Sequence, residues 1–157
     1  MDRKLVRGKD RKTGSFVVGY YLGESGGDAI IVEPSDIKYD LGCIDGCPVH
    51  ECDPKTVGRI APRNDADGKQ VFEGDIIQYE DEYYYFDVTA EVKYGVYLQD
   101  GSDGEYGGAK VYGWYVEVIS ATPPEFDDEA EYPEYMKTTS IFVIPTFKVI
   151  GNVFNEK

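Results

Sequence analysis

No run of the sequence approaches the roughly 20 consecutive apolar residues that a membrane-crossing helix requires. The opening Met1–Lys12 also lacks the apolar centre of a signal peptide, so a cytoplasmic protein without membrane attachment is expected. Cysteine is sparse: Cys43, Cys47 and Cys52 are an odd number crowded into ten residues, poor material for a secreted disulfide framework, and read as reduced thiols. Positive charge is short too, with 16 Lys and Arg against 30 Asp and Glu and a net charge of -14. Affinity for phosphate backbones comes largely from cations displacing counterions, so direct nucleic-acid binding is not expected. No internal repeat, heptad pattern or linker divides the chain, and 157 residues suit one domain spanning 1–157.

What is abundant points to β-structure. Fourteen Tyr, seven Phe and one Trp fit pleated, half-buried surfaces, and eighteen Gly with eight Pro supply turns. Ser15–Leu22 and Ala29–Val32 read as strands of an opening hairpin around the Gly-rich Glu24–Asp28. From Pro34 to Pro62 the periodicity fades, and a long irregular connection is expected, with one helical turn starting at Asp53-Pro54. Asn64–Gly68 is a turn signal, and Lys69–Phe72 and Asp75–Tyr79 read as strands broken at Glu73-Gly74, where Gly74 permits a corner. Tyr83–Lys93, Val96–Leu98 and Val111–Ile119 are expected to line the core, and Gln99–Gly108 to form an exposed loop. Pro123–Tyr135 holds six acidic residues and reads as a loop with a helical turn. Ile141–Ile144 and Phe147–Val149 read as closing strands before Gly151-Asn152. The charge is uneven: Met1–Lys12 carries six basic and two acidic residues, leaving ten basic and twenty-eight acidic for the rest, and the basic end reads as a solvated terminus.

The chemical motifs are thin. Cys43, Cys47, His50 and Cys52 are the one zinc-like set, but His50-x-Cys52 would crowd one corner of a tetrahedron, so free thiols beside a surface histidine are the plainer reading. With His50 the single histidine, a Ser-His-Asp triad has one place to form, and no G-x-S-x-G elbow accompanies it. Carboxylate pairs such as Asp127 with Asp128, or Glu73 with Asp75, arise by chance among thirty acids and read as solvated faces. Asp100, Asp103 and Glu105 lack EF-hand spacing, and Gly104–Gly108 lacks the Lys-Ser/Thr of a phosphate loop. Tyr83, Tyr84, Tyr85, Tyr112 and Trp114 could make a stacking platform, but at alternating strand positions they read as core and cross-strand pairs. No cofactor is implied.

Several segments resemble the YopX family of phage- and prophage-encoded proteins. Val6-Arg7-Gly8-Lys9-Asp10 with Gly19-Tyr20 is similar to that family's opening F-R-G-K-D and G-Y strand. His50-Glu51-Cys52-Asp53-Pro54-Lys55-Thr56-Val57-Gly58, then Asp67-Gly68-Lys69, then Phe72-Glu73-Gly74-Asp75-Ile76-Ile77 resemble its H-E-V-D-P-E-T-V-G and G-K-x-I-Y-E-G-D-I-V segments. Val149-Ile150-Gly151-Asn152-Val153-Phe154 resembles its V-I-G-N-I-Y ending. The resemblance covers nearly the whole chain, with two departures: Ala61-Pro62-Arg63 stands where the family has T-G-L, and the acidic Pro123–Tyr135 is peculiar to this sequence. It weakens the zinc reading, since Cys52 stands where Val is usual.

The resemblance implies a mostly β, YopX-like fold of short antiparallel strands forming a small barrel-containing single domain with one or two helical turns. It implies no established activity. The function expected is that of a non-enzymatic accessory protein in the bacterial host cytoplasm, acting by binding a host or phage protein or as a homo-oligomer. Two alternatives stand beside it: a small-ligand or nucleotide-related enzyme using carboxylates in a barrel mouth, and an acidic nucleic-acid mimic built from Glu125, Asp127, Asp128, Glu129, Glu131 and Glu134.

Overall fold

The computed structural model describes residues 5–33, 48–99, 109–133 and 136–154. Cys43, Cys47, Asp100, Asp103, Glu105, the Gly104–Gly108 segment and Glu134 lie outside the described residues. The chain is mostly β, in two antiparallel sheets. Where composition reads as one domain, contacts divide the chain into two compact units, Met1–Ile60 and Ala61–Lys157.

The first unit holds β1 (Leu5–Asp10), β2 (Phe16–Ser25), β3 (Asp28–Val32) and β4 (Val49–Arg59). β1 pairs with β2, β2 with β3, β3 with β4, and β4 again with β1, so the pairing returns to its starting strand. Ser25 faces Asp28 across Gly26 and Gly27, whose φ angles of 61° and 86° make the two-residue turn that matches strand twist. Val6, Ala29, Ile31 and Cys52 form its small core, with Val17 and Val57 packed against them. The ring is tight enough to require glycine: a Cβ at Gly8 would lie 2.6 Å from Ile31 Cδ1, and one at Gly19 2.3 Å from the Val32 carbonyl oxygen.

Two expectations fail here. The basic opening is not a solvated terminus over Leu5–Asp10, because Val6, Arg7 and Asp10 are buried in β1, whereas Arg11 and Lys12 are exposed. Asp53-Pro54 starts no helix. It lies in β4, in a bulge where Arg7 faces Gly58 but Lys9 faces Asp53. Thr56 Oγ1 accepts from Lys9 N at 2.9 Å and donates to the Asp53 carbonyl at 2.6 Å, while Asp53 Oδ1 accepts from Lys55 N at 3.0 Å. These local bonds give proline a place inside a strand without a ladder donor.

The second unit is a five-stranded sheet of β5 (Asp75–Glu80), β6 (Asp87–Gln99), β7 (Ala109–Thr122), β8 (Thr138–Ser140) and β9 (Lys148–Asn152), in the order β8-β7-β6-β5-β9. β6 and β7 are long, at 13 and 14 residues, and absorb the separate Val96–Leu98 strand expected from sequence. Period-2 alternation sends Ile77 and Tyr79 of β5, and Val88, Ala90 and Val92 of β6, into one core with Val116, Ile141, Ile144 and Phe147. Ile141–Val143 is a 3-10 turn in place of the expected strand, with Ser140 Oγ accepting from Phe142 N at 3.3 Å. Glu125–Asp127 is also a 3-10 turn, entered from Pro124, as the acidic loop was read.

Candidate functional site

The motif residues Glu73-Gly74-Asp75 and Gly151-Asn152 meet as one structural unit. Asp75 pairs with Asn152 and Ile76 with Gly151, and the Gly74 carbonyl accepts from Val153 N at 2.9 Å. Gly74 turns with φ 88°, and a Cβ there would lie 2.5 Å from the Phe154 ring. Asp75, 1% exposed, accepts from Phe72 N through Oδ2 at 2.9 Å. Asn152 Oδ1 accepts from Phe154 N at 3.0 Å. Gly68, at φ 81°, closes the Asp65–Lys69 turn. Arg7 lays its guanidinium over the Phe16 ring, 4.4 Å from the centroid.

His50 sits between two carboxylates, with Nδ1 2.7 Å from Asp10 Oδ2 and Nε2 3.5 Å from Glu33 Oε2. The His50 contact, helped by the Lys12 and Thr13 amides, holds Asp10 below the usual carboxylate range against the opposing pull of burial. Cys52 is sealed in the core, and burial with the nearby charges of Asp10 and Asp28 pushes its thiol up to about 11. A thiol so placed is neither a ready nucleophile nor a ready metal ligand. Among the described residues no cluster of three or more metal-ligating side chains forms.

The exposed chemistry gathers in the second unit, on a feature the sequence reading placed in the core. Tyr83, Tyr84 and Tyr85 are 81%, 45% and 53% exposed, on a turn rather than a strand. Buried Asp81 makes the turn: its carboxylate accepts from Tyr84 N at 2.7 Å and Tyr83 N at 3.4 Å, and its backbone exchanges bonds with Tyr85 N and the Phe86 carbonyl. Tyr85 closes it at φ 62°, the one positive φ at a non-glycine among the described residues. Such left-handed strain costs about 1–3 kcal/mol and persists where the surroundings over-determine it. The Tyr85 ring meets Phe126 edge-on at 5.9 Å, which joins this turn to the acidic 3-10 turn, and Phe126 is itself 78% exposed. Glu80, Glu82, Glu125, Asp127, Asp128 and Glu129, neighbours of these residues in sequence, are exposed. The Asp81-x2-Tyr84 spacing of the cap is present in the sequence, but a run of three Tyr looks like strand.

Beside the turn lies a cavity of about 90 Å³ whose walls include Tyr79, Glu82, Tyr83, Tyr132, Met136 and Ile144. Burial pushes Tyr79 up to about 12, the Tyr132 side chain alongside opposing the shift and the Asp81 charge adding to it. The Tyr79 hydroxyl is sealed from solvent beside the Tyr132 side chain. Arg63, which the sequence reading passed over, holds one wall: it donates to the carbonyls of Ile141 at 2.7 Å, Ile144 at 2.5 Å and Pro145 at 3.1 Å, and lies over the Phe147 ring at 4.7 Å.

Among the described residues no helix is long and apolar enough to cross a membrane. No protein-family model, curated protein or solved structure matches the chain.

Proposed function

We propose that this chain is a binding module that captures a basic protein through the aromatic and acidic face formed by Tyr83–Tyr85 and Glu125–Asp128. The observation that carries the reading is Phe126 and Tyr83 standing 78% and 81% exposed, each flanked in sequence by exposed acidic residues, on turns braced by Asp81 and by the Tyr85–Phe126 contact. Exposed aromatics on a rigid platform are the usual anchors of a protein interface, and a polar rim sets the partner's charge.

Magnitudes favour a charged partner. Full burial of two aromatic side chains contributes about 3–6 kcal/mol, whereas association costs about 4–15 kcal/mol. The aromatics alone do not hold a partner, and opposite charge must supply steering and the remaining contacts. The exposed Glu125, Asp127, Asp128, Glu129 and Glu131 can stand in for a run of phosphates on such a partner, which is the nucleic-acid-mimic form of the same reading. The quoted motifs, and the meeting of Gly74-Asp75 with Gly151-Asn152 in one sheet, support a YopX-like reading of the chain, and the return of β4 to β1 supports the small barrel that the resemblance implies.

The test is a nuclease-treated pull-down from bacterial lysate at low and high salt, read by mass spectrometry, with wild type beside a Tyr83→Ser, Phe126→Ser variant. The expected result is an enriched basic protein that is released by salt and absent from the variant's eluate. Equal recovery by wild type and variant, or recovery of the bait alone, overturns the reading.

A further inference from the structure

We infer that the cavity beside the Asp81–Phe86 turn receives one cationic side chain, Lys or Arg, of the basic partner. The inference rests on the reading that this face binds a basic protein, and it names the subsite at which the partner is gripped. Size comes first. At about 90 Å³ the cavity is well below the roughly 300–1,000 Å³ of cofactor and small-molecule sites, and matches a single long side chain.

The lining then selects the chemistry. Met136, Val143 and Ile144 offer an apolar wall for a methylene stem, and the aromatic side chains of Tyr83 and Tyr132 line the same cavity, a residue type that attracts cations. Two carboxylates in the lining, Glu80 and Glu82, are exposed, whereas that of Asp81 is already spent on the Tyr83 and Tyr84 amides. A phosphate or carboxylate would meet three acids here and no cation among the lining residues. A neutral apolar group would use the Met136, Val143 and Ile144 wall but gain nothing from the Glu80 and Glu82 carboxylates. A guanidinium or ammonium uses both parts of the lining: its stem lies on the apolar wall, and its charge is matched by Glu80 and Glu82.

N-acetyl-arginine amide, N-acetyl-lysine amide and the neutral isostere N-acetyl-citrulline amide distinguish the head groups. Each is titrated into the isotopically labelled full chain while backbone amide shifts are followed, and an alternating Lys-Arg peptide is titrated in parallel. Saturable shifts confined to residues 79–83 and 136–145 are expected with one or both cationic amides and not with the citrulline amide. The exposed-residue variant Tyr83→Ala, Glu82→Gln should weaken that binding about tenfold or more. Its amide spectrum elsewhere reports whether the fold is kept, and Glu82→Gln alone should give an intermediate loss. If the peptide binds but the cationic amides leave the cavity unshifted, or the citrulline amide binds equally, the cavity inference falls and the acidic face stands. If the peptide also fails to bind, both fall.

Discussion

Tyr97 and Tyr115 stack at 4.7 Å with their planes 18° apart, across the facing pair Gly95 and Gly113. By register, Tyr97 faces Val111 and Tyr115 faces Lys93, so the two tyrosines are four ladder positions apart, about 13 Å along a flat strand. The glycine pair between them projects no side chain to hold the rings apart. The ribbon beyond it curls: Leu98 lies seven positions past Glu91, about 23 Å in extended chain, yet its carbonyl accepts at 2.9 Å from Thr138, the partner of Glu117 beside Glu91. Curling leaves Val96, Leu98 and Tyr112, expected in the core, 62%, 52% and 67% exposed.

The curl should therefore depend on the tyrosine pair. Tyr97→Ala and Tyr115→Ala should each speed amide exchange at Val96–Leu98, with a coupling of about 0.5–1.5 kcal/mol in the double-mutant cycle. Strict additivity would show that the stack is incidental to the bend.

Arg63 ties Ile141, Ile144 and Pro145 through one planar fork. Arg63→Ala should cost about 2–4 kcal/mol in denaturant unfolding, since charged donors to carbonyls are worth more than neutral ones and the carbonyls lose their partner. Arg63→Lys should recover little of it, because an ammonium cannot span three acceptors in a fixed plane. Recovery of wild-type stability by lysine would reduce the role of Arg63 to charge.

Asp10 gives the first unit an acid-sensitive element. Its carboxylate faces His50 and the Lys12 and Thr13 amides, with Glu33 on the far side of the imidazole. Because the folded pKa lies below the unfolded value near 3.8, the stabilisation is present above that value and is lost as pH falls through the folded pKa. The stability difference between wild type and Asp10→Asn should thus shrink as pH falls below about 4. A difference unchanged down to pH 2.5, measured by urea unfolding at each pH, would show that the carboxylate's charge contributes nothing.

Legibility in the sequence followed the range of the forces. Local chemistry was readable: Gly26-Gly27 as a hairpin, Asn64–Gly68 as a turn, Gly74 as a corner with Asp75 capping it. Long-range bonds were not. Asp65 looks like any turn aspartate, yet Oδ2 accepts from Val149 N at 3.1 Å across 84 positions. Burial pushes its carboxyl up, but the Val149, Lys69 and Asp67 amides and the Lys69 charge together bring it below the ordinary range. Asp53-Pro54 carries a helix-start signature that β1 overrides by pairing on both sides of the bulge. The aromatic face stayed hidden because Tyr83–Tyr85 have strand propensity, and only the capping by Asp81 turns them outward.

The same difference between local reading and packing decides Cys52. Crowding with Cys43, Cys47 and His50 makes it look like a metal or redox site in sequence, but β4 inserts it among Val6, Ala29 and Ile31. With its thiol pushed up to about 11, only about one thousandth is thiolate at pH 8, and the residue has no exposed surface. Iodoacetamide on the native protein at pH 8 should leave the Cys52 peptide unmodified, while the same peptide from urea-unfolded protein alkylates fully. Cys52→Ala should destabilise the first unit by about 1 kcal/mol through the cavity left beside Ile31, and Cys52→Val, the residue the resemblance places there, should be tolerated. Rapid native alkylation, or zinc retained by wild type and lost from Cys52→Val, would return Cys52 to the surface chemistry its sequence neighbours suggest.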